Sequence, residues 1–287
     1  MIQPSPIIMQ LTPSQRDAIY RTDFLAFAQA ALDVLEPNNI FEPNWHHEDI
    51  AQALVDSTGK KTRKYINAPP RSLKSFLVSI AWVAFKLGHE PTHKFICASY
   101  SRDLASHLAA QCRKLMQSDF YCRLFATRLA KITDDELVTT EGGFRIATSV
   151  GATLTGLGCD TLIVDDPLSA DDAYSETARK NANRWFLGTA MTRLNDKRAG
   201  AIFVVTHRLH QEDLTAVLIE KGWDGLVFPA IAPREHGYPN RKPAACLERG
   251  GAVAGARARG SYRGAETAIT GGGIRRAIYA GPDARSR

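Results

Sequence analysis

No stretch of this 287-residue chain stays apolar for long. The longest nearly apolar run, Phe76 to Phe85, is ten residues, about half of what a bilayer-spanning helix requires. The N-terminus has no basic segment followed by an apolar one, so nothing in the sequence points to membrane insertion or secretion. Cysteine is scarce too. The five present, Cys97, Cys112, Cys122, Cys159 and Cys246, are odd in number and widely spaced, with no C-x-x-C pair. That pattern speaks against a disulfide framework and a zinc site, and for a reducing cytoplasmic compartment. What remains is ordinary for a folded protein: 44% hydrophobic and 23% charged residues, enough for one large core or roughly two domains. The formal charge of +6 invites a polyanionic partner. Its location weakens that invitation, because eight arginines against three acidic residues after Leu247 leave +5 there and +1 in the first 247 residues.

Organisation changes twice along the chain. Residues 1–60 read as a helical lead-in, with an apolar stripe of Phe24, Phe27, Ala28, Ala31 and Leu35 on Asp23 to Leu35, ended by Pro37. A second helix is expected from Trp45 to about Ser57, with Ile50, Leu54 and Val55 on one side and Gly59 as its stop. Residues 61–247 alternate short apolar runs with helical patterns. Strands are expected at Lys64 to Ala68, Lys94 to Ala98, Thr161 to Val164, Ala201 to Val205 and Gly225 to Phe228. Helices are expected at Lys74 to Leu87, Arg102 to Met116, Tyr174 to Leu194 and Gln211 to Glu220. Such alternation predicts an α/β fold with a mainly parallel sheet flanked by helices. Glu136 to Thr140 and Phe144 to Thr148, around Glu141-Gly142-Gly143, read as an inserted hairpin. Residues 248–287 hold nine Gly and nine Ala but no Leu, Lys, Phe or Trp, a composition expected to stay disordered.

Two motifs carry chemistry. The first expected strand runs into Pro69-Pro70-Arg71-Ser72-Leu73-Lys74-Ser75 and directly into an apolar helix. A phosphate loop sits in that context: backbone N–H groups and the positive helix end meet the anion, a lysine reaches the outer phosphates, and a hydroxyl ligates Mg²⁺. The G-x-x-x-x-G-K-[ST] pattern would place glycines at 68 and 73, where this chain has Ala68 and Leu73. On spacing alone, a Pro-rich turn before an exposed lysine is the competing reading. About ninety residues on, Thr161-Leu162-Ile163-Val164 ends in Asp165-Asp166-Pro167, two carboxylates at the strand end where α/β sheets bind ligands. One can hold Mg²⁺ while the other orients and deprotonates a water. A solvated acidic turn is the bland alternative.

With both motifs in order, the chain resembles the large terminase subunits of tailed bacteriophages and prophages, ATPases that package DNA. The resemblance runs from about Glu42 to Asn240. It takes in Asn44-Trp45-His46, the loop Pro69 to Ser75, Ser99-Tyr100-Ser101, Thr155-Gly156-Leu157-Gly158, Asp165-Asp166-Pro167 and Thr206-His207-Arg208-Leu209-His210. It implies a RecA-like P-loop (ASCE-type) ATPase using ATP and Mg²⁺, with nucleotide contacts from Pro70, Arg71, Ser72, Leu73, Lys74 and Ser75. Lys74 becomes the phosphate-charge stabiliser, Ser75 and Asp165 the metal ligands, Asp166 the catalytic carboxylate where many relatives carry Glu, and Arg71 a γ-phosphate sensor. Thr206, His207 and Arg208 resemble the motif that couples hydrolysis to movement, and Trp45 and His46 the segment near the adenine pocket. On the residues alone, Arg71 could be a surface arginine paired with a carboxylate, Trp45 a packing residue of the lead-in, and Thr206 an ordinary strand end.

The resemblance further implies double-stranded DNA, a portal protein, a small terminase subunit and a ring of copies as partners, in the bacterial cytoplasm. Two departures matter. The loop Thr153 to Gly158 offers Thr155 and Leu157 where the family often carries an arginine, leaving Arg145 as a guess for a trans-acting one. After Asp224 the acidic residues are only Glu235, Glu248, Glu266 and Asp283, too scattered for the family's two-metal nuclease site. No nuclease activity is expected. Gly260-Ser261-Tyr262-Arg263 and Gly271-Gly272-Gly273-Ile274 resemble family elements set in an otherwise altered tail, which suggests a truncation by a reading-frame shift. A helicase-like RecA-fold ATPase and a non-catalytic terminase remnant are the alternative readings.

Overall fold

The computed structural model describes residues 11–39 and 41–230, which belong to one compact unit. The part of the resemblance from 231 to about Asn240, the end of the 61–247 segment and the tail 248–287 lie outside the described residues.

Three helices lead in. Helix α1 (Pro13–Thr22) opens with a capping box between Thr12 and Gln15. Asp23 caps α2 (Phe24–Leu35) by accepting from the Ala26 N–H at 2.8 Å. The stripe expected on α2 is buried, with Leu32 added to it. Helix α3 (Trp45–Asp56) starts from an Asn44 cap and buries Ile50, Ala51 and Leu54, while Val55, expected on the same side, is exposed.

The sheet follows as β1 (Thr62–Asn67), β2 (Lys94–Ser99), β3 (Leu129–Ile132), β4 (Glu136–Thr139), β5 (Phe144–Ser149), β6 (Thr161–Asp165), β7 (Ala201–Thr206) and β8 (Asp224–Val227). Its spatial order is β3-β4-β5-β2-β6-β7-β1-β8. Every pairing from β5 to β8 is parallel, and β3 and β4 add antiparallel strands at one edge. The fold is therefore α/β, with a mainly parallel sheet flanked by helices, as expected. Between β1 and β2 runs α4, a π-helical segment Phe76–Ala81 continuing as an α-helix over Trp82–His89. Helices α5 (Arg102–Met116), α6 (Asp119–Leu124), α7 (Glu176–Gly188) and α8 (Leu214–Glu220) complete the set.

Both sheet faces are covered, which is why the central strands read as apolar runs without alternation. On one face α2 to α6 pack over Ile66, Phe95, Cys97, Ile163, Phe203 and Val205. There Phe24, Phe27, Trp82, Phe85, Tyr121 and Phe125 form a chain of edge-to-face and tilted rings. Each such buried side chain contributes about 1.5–3 kcal/mol of burial free energy. On the other face Trp185, Phe186, Leu214 and Leu218, from α7 and α8, cover Tyr65, Ile96, Leu162, Val164, Ile202 and Val204.

Several expectations are corrected. The helix expected from Tyr174 to Leu194 is shorter: it begins after the Ser175 cap, ends at Gly188 and gives way to a 3₁₀ turn, Ala190–Arg193. The helix expected from Gln211 begins at Leu214, because Asp213 caps it by accepting from the Ala216 N–H. The hairpin forms but is not an insertion, since β5 pairs in parallel with β2 and makes β4 and β3 part of the main sheet. Helices α1 and α6 and strand β3 had no counterpart among the expectations.

Candidate functional site

Four strand ends converge at the C-terminal edge of the sheet: Asn67 of β1, Thr206 of β7, Asp165 of β6 and Ser99 of β2, in that lateral order. Backbone bonds tie them together. The Ala68 N–H donates to the Thr206 carbonyl (3.2 Å), the Asp166 N–H to the Val205 carbonyl (2.8 Å), and the Tyr100 N–H to the Asp166 carbonyl (3.0 Å). Residues ninety apart in sequence thereby share one ledge.

The loop after β1 does without glycine but not without glycine's conformation. Arg71 and Leu73 have φ of 61° and 59°, and Asp166, on the facing turn, has φ of 46°. Left-handed backbone costs an L-residue roughly 1–2 kcal/mol, with Asp among the more tolerant types. Leu73 occupies the very position where the phosphate-loop pattern carries its second glycine. All three strained non-glycine residues of the described chain thus face one site, a concentration typical of functional loops.

Charge is buried at this ledge. Lys74, 6% exposed, sends Nζ to 3.5 Å from Asp166 Oδ2. Lysine is rarely so buried unless paired. Asp165 is 2% exposed and accepts two hydroxyl bonds, from Ser75 Oγ to Oδ1 at 2.9 Å and from Ser79 Oγ to Oδ2 at 2.5 Å. Burial and the neighbouring Asp166 charge raise the Asp165 pKa, against the pull of both serines and Lys74. Burial also acts upward on Asp166, but the His207 hydrogen bond and the Lys74 charge outweigh it and hold that carboxyl below its ordinary range. Asp166 Oδ1 accepts from the His207 backbone N–H and lies 3.2 Å from His207 Nδ1, which must be the protonated nitrogen opposite an ionised carboxylate. Two adjacent carboxylates are therefore driven apart in proton affinity, an arrangement common where acid-base work is done.

The remaining expected residues fall around this centre. Ser72 is buried and its hydroxyl has no partner among the described residues. Arg71 and Pro70 are exposed, and Arg71 makes no ion pair among the described residues, so the surface-pair alternative finds no carboxylate. Trp45 packs edge-to-face on Phe228 at 5.2 Å, and His46 lies 5.9 Å from the same ring. Burial lowers the proton affinity of both His46 and His47, and the Ser72 backbone opposes it at each. Thr206 donates to the His207 carbonyl (2.9 Å), and Arg208 pairs with Asp213, the α8 cap (3.1 Å). Arg145 is fully buried in β5 and reaches no surface, which removes it as a trans-acting arginine. An arginine does lie at the loop Thr153 to Gly158: Arg193 Nη1 donates to the Leu154 carbonyl at 3.1 Å.

Sequence reading missed two participants. Ser79 was hidden as the one hydroxyl in the apolar run from Phe76 to Phe85, four residues after Ser75, and that spacing was the available signal. Asn67, at the end of β1, accepts from Thr215 Oγ1 of α8 at 3.2 Å, joining the loop's entry to the helix that Arg208 and Asp213 anchor. An isolated strand-end Asn gives no such hint.

Mg²⁺ suits this donor set. Ser75 Oγ and Asp165 Oδ1 are hard oxygen donors already 2.9 Å apart. Among the described residues no three His, Cys, Asp or Glu side chains gather into a metal site. Mg²⁺ commonly takes one or two protein oxygens and fills its octahedron with waters and substrate phosphates.

Fold and ledge together define an α/β protein with a mainly parallel sheet, in which a glycine-free loop after β1 and the start of α4 face two adjacent carboxylates at the end of β6. No protein-family model matches the sequence, and no curated protein does. Among solved structures, the large terminase of bacteriophage HK97 aligns with 75% of this chain and 45% of its own, at 14% identity and a TM-score of 0.48. An ATPase-domain variant of a Thermus phage large terminase aligns over 62% of this chain and 68% of its own, at 14% identity and a TM-score of 0.42. A thermophilic bacteriophage's large terminase in complex with ADP aligns over 69% and 44%, at 13% identity and a TM-score of 0.38. The chain spans less than half the length of the first and third of these proteins.

Proposed function

We propose that this chain is the ATP-hydrolysing motor domain of a phage or prophage DNA-packaging large terminase. The observation that carries the reading is the meeting of Lys74 and Ser75 with Asp165 and Asp166 at one sheet edge. The residues divide the work as follows. The loop 69–73, left-handed at Arg71 and Leu73, leads into the start of α4, where the helix end favours an anion. Lys74 leaves Asp166 for the outer phosphates of ATP and neutralises charge that grows on them during transfer. Ser75 and Asp165 would hold Mg²⁺, which when bound adds its own charge to the same phosphates. Asp166, freed of Lys74 and kept ionised by His207, orients a water and takes its proton. Its side chain is shorter than the Glu of many relatives by one carbon-carbon bond, about 1.5 Å.

His207 touches the catalytic carboxylate while its neighbour Arg208 grips the α8 cap, and Thr215 of that helix holds Asn67 beside the phosphate loop. A change at Asp166 can thus be passed to the segment 206–215, which is the coupling assigned to Thr206, His207 and Arg208. Double-stranded DNA, a portal protein, a small terminase subunit and further copies of the chain in a ring are the partners of this reading, in the cytoplasm of a bacterial host. ATP hydrolysis is the activity proposed.

The test is ATP turnover by the purified chain with Mg²⁺, wild type against Lys74→Ala. Wild-type turnover lost in the variant is expected. Equal background rates would leave a remnant that folds without catalysing.

A further inference from the structure

The mechanism above makes no use of Ser79, a fully buried hydroxyl inside α4. A serine in a helix interior ordinarily points to solvent or bonds back to the carbonyl four residues earlier. Ser79 does neither. Its Oγ lies 2.5 Å from Asp165 Oδ2, while Ser75, four residues earlier and half-buried, donates to Oδ1. One helix face therefore brackets both oxygens of a single carboxylate.

The backbone is altered at this point. Residues Phe76–Ala81 are π-helical, and the Trp82 N–H donates to the Leu77 carbonyl five residues back. Such widened turns are rare and frequently lie at functional sites. Here the widened segment begins directly after Ser75 and contains Ser79, and every residue of it is buried. Packing alone would fill position 79 with an apolar side chain, as it does positions 76, 77, 78, 80 and 81.

Resting on the proposed nucleotide reading, we infer that Ser79 is the positioning residue that fixes the metal-binding carboxylate. It ties Oδ2 to the interior so that Oδ1, beside Ser75 and the phosphate loop, is the oxygen presented to a divalent cation. Without it Oδ2 would be a buried acceptor lacking a partner, and the carboxylate would turn to find one.

Metal binding tests this without turnover. Mn²⁺, titrated into the ADP-loaded chain and followed through the free-ion EPR signal, gives the metal's dissociation constant. Groups that orient a ligand typically change metal affinity 10- to 100-fold when removed. Ser79→Ala is expected to raise the Mn²⁺ dissociation constant about tenfold or more, leave ADP affinity without metal unchanged, and be rescued by Ser79→Thr. A folded Ser79→Ala chain with wild-type Mn²⁺ affinity overturns the inference. If the alanine variant fails to fold, Ser79→Cys, close in size but a weak donor, decides by the same measurement. A wild-type chain that binds neither ADP nor ADP-dependent Mn²⁺ would instead remove the nucleotide reading beneath it.

Discussion

Lys74 and Arg145 are both buried cations, 6% and 0% exposed, and they sit in opposite kinds of surroundings. Around Lys74 the chain converges two carboxylates, two serines and a histidine, on backbone held left-handed at three places. Around Arg145, Leu137 faces it from β4, the thiols of Cys97 and Cys112 and the Asp135 carboxylate lie within its field, and its three guanidinium nitrogens have no hydrogen-bond partner among the described residues. Burial of charge alone therefore does not mark a site. Convergence of groups able to act on one ligand does, together with strain that the surrounding fold must hold in place.

The largest effects expected belong to the first region. Lys74→Ala should lower ATP turnover by on the order of 100- to 1,000-fold, the usual loss when a group stabilising transition-state charge is removed. Asp166→Asn should cost a comparable 10²–10⁴-fold, roughly the worth of a general base, while nucleotide binding measured by fluorescence titration survives. Binding and turnover failing together in the asparagine variant would place Asp166 in ligand recognition instead.

Arg145 supplies the counter-experiment. A buried charge without a hydrogen-bond partner carries a desolvation cost that an apolar side chain of similar volume does not. Arg145→Met is therefore expected to raise or preserve the denaturant midpoint and leave turnover unchanged. A large loss of either would show that Arg145 has a partner and a role, and the contrast with Lys74 would fail.

The same contrast explains what could be read from sequence. The central strands were legible because a sheet covered on both faces needs unbroken apolar runs, and the catalytic candidates because Lys74-Ser75 opens an apolar helix just after one such strand while Asp165-Asp166 ends another. Strand β3 was not, since Leu129–Ile132 is four residues with three of them exposed and no alternation to reveal it. Nor was the ledge's inner layer. Ser79 and Asn67 act through one hydrogen bond each to residues 86 and 148 positions away, and neither bond leaves a local pattern. The expected hairpin was legible as a hairpin but not as part of the sheet, because its pairing with β2 depends on register across fifty residues.

A smaller effect tests the lead-in's hold on the phosphate loop. Burial and the neighbouring His46 push the His47 pKa down to about 4, and its Nδ1 accepts from the Asn44 N–H at 3.2 Å, which only the neutral ring can do. In the unfolded chain the ring takes a proton near its ordinary 6.5. Between those values the unfolded state binds more protons, so stability rises with pH across the window. His47's contribution is complete above about 6.5 and lost as pH falls toward 4. His47→Gln should flatten the dependence of melting temperature on pH in that range. An unchanged slope would mean that another group titrates there.

The smallest expected effect bears directly on the missing glycine. At Leu73, φ is 59°, so Leu73→Gly removes about 1–2 kcal/mol of left-handed strain. Against that stand the packing of a partly buried side chain on the main core and roughly 0.4–1 kcal/mol from the freer unfolded chain. The two sides nearly cancel, and a denaturant melt of Leu73→Gly should lie close to wild type. Leu73→Val keeps apolar bulk but places a β-branched residue where positive φ makes it a true outlier, so it should be the less stable of the two. The reverse order would mean that Leu73 is kept for its side chain, and that the loop's shape is imposed by Ser72 and the α3 contact rather than tolerated at 73.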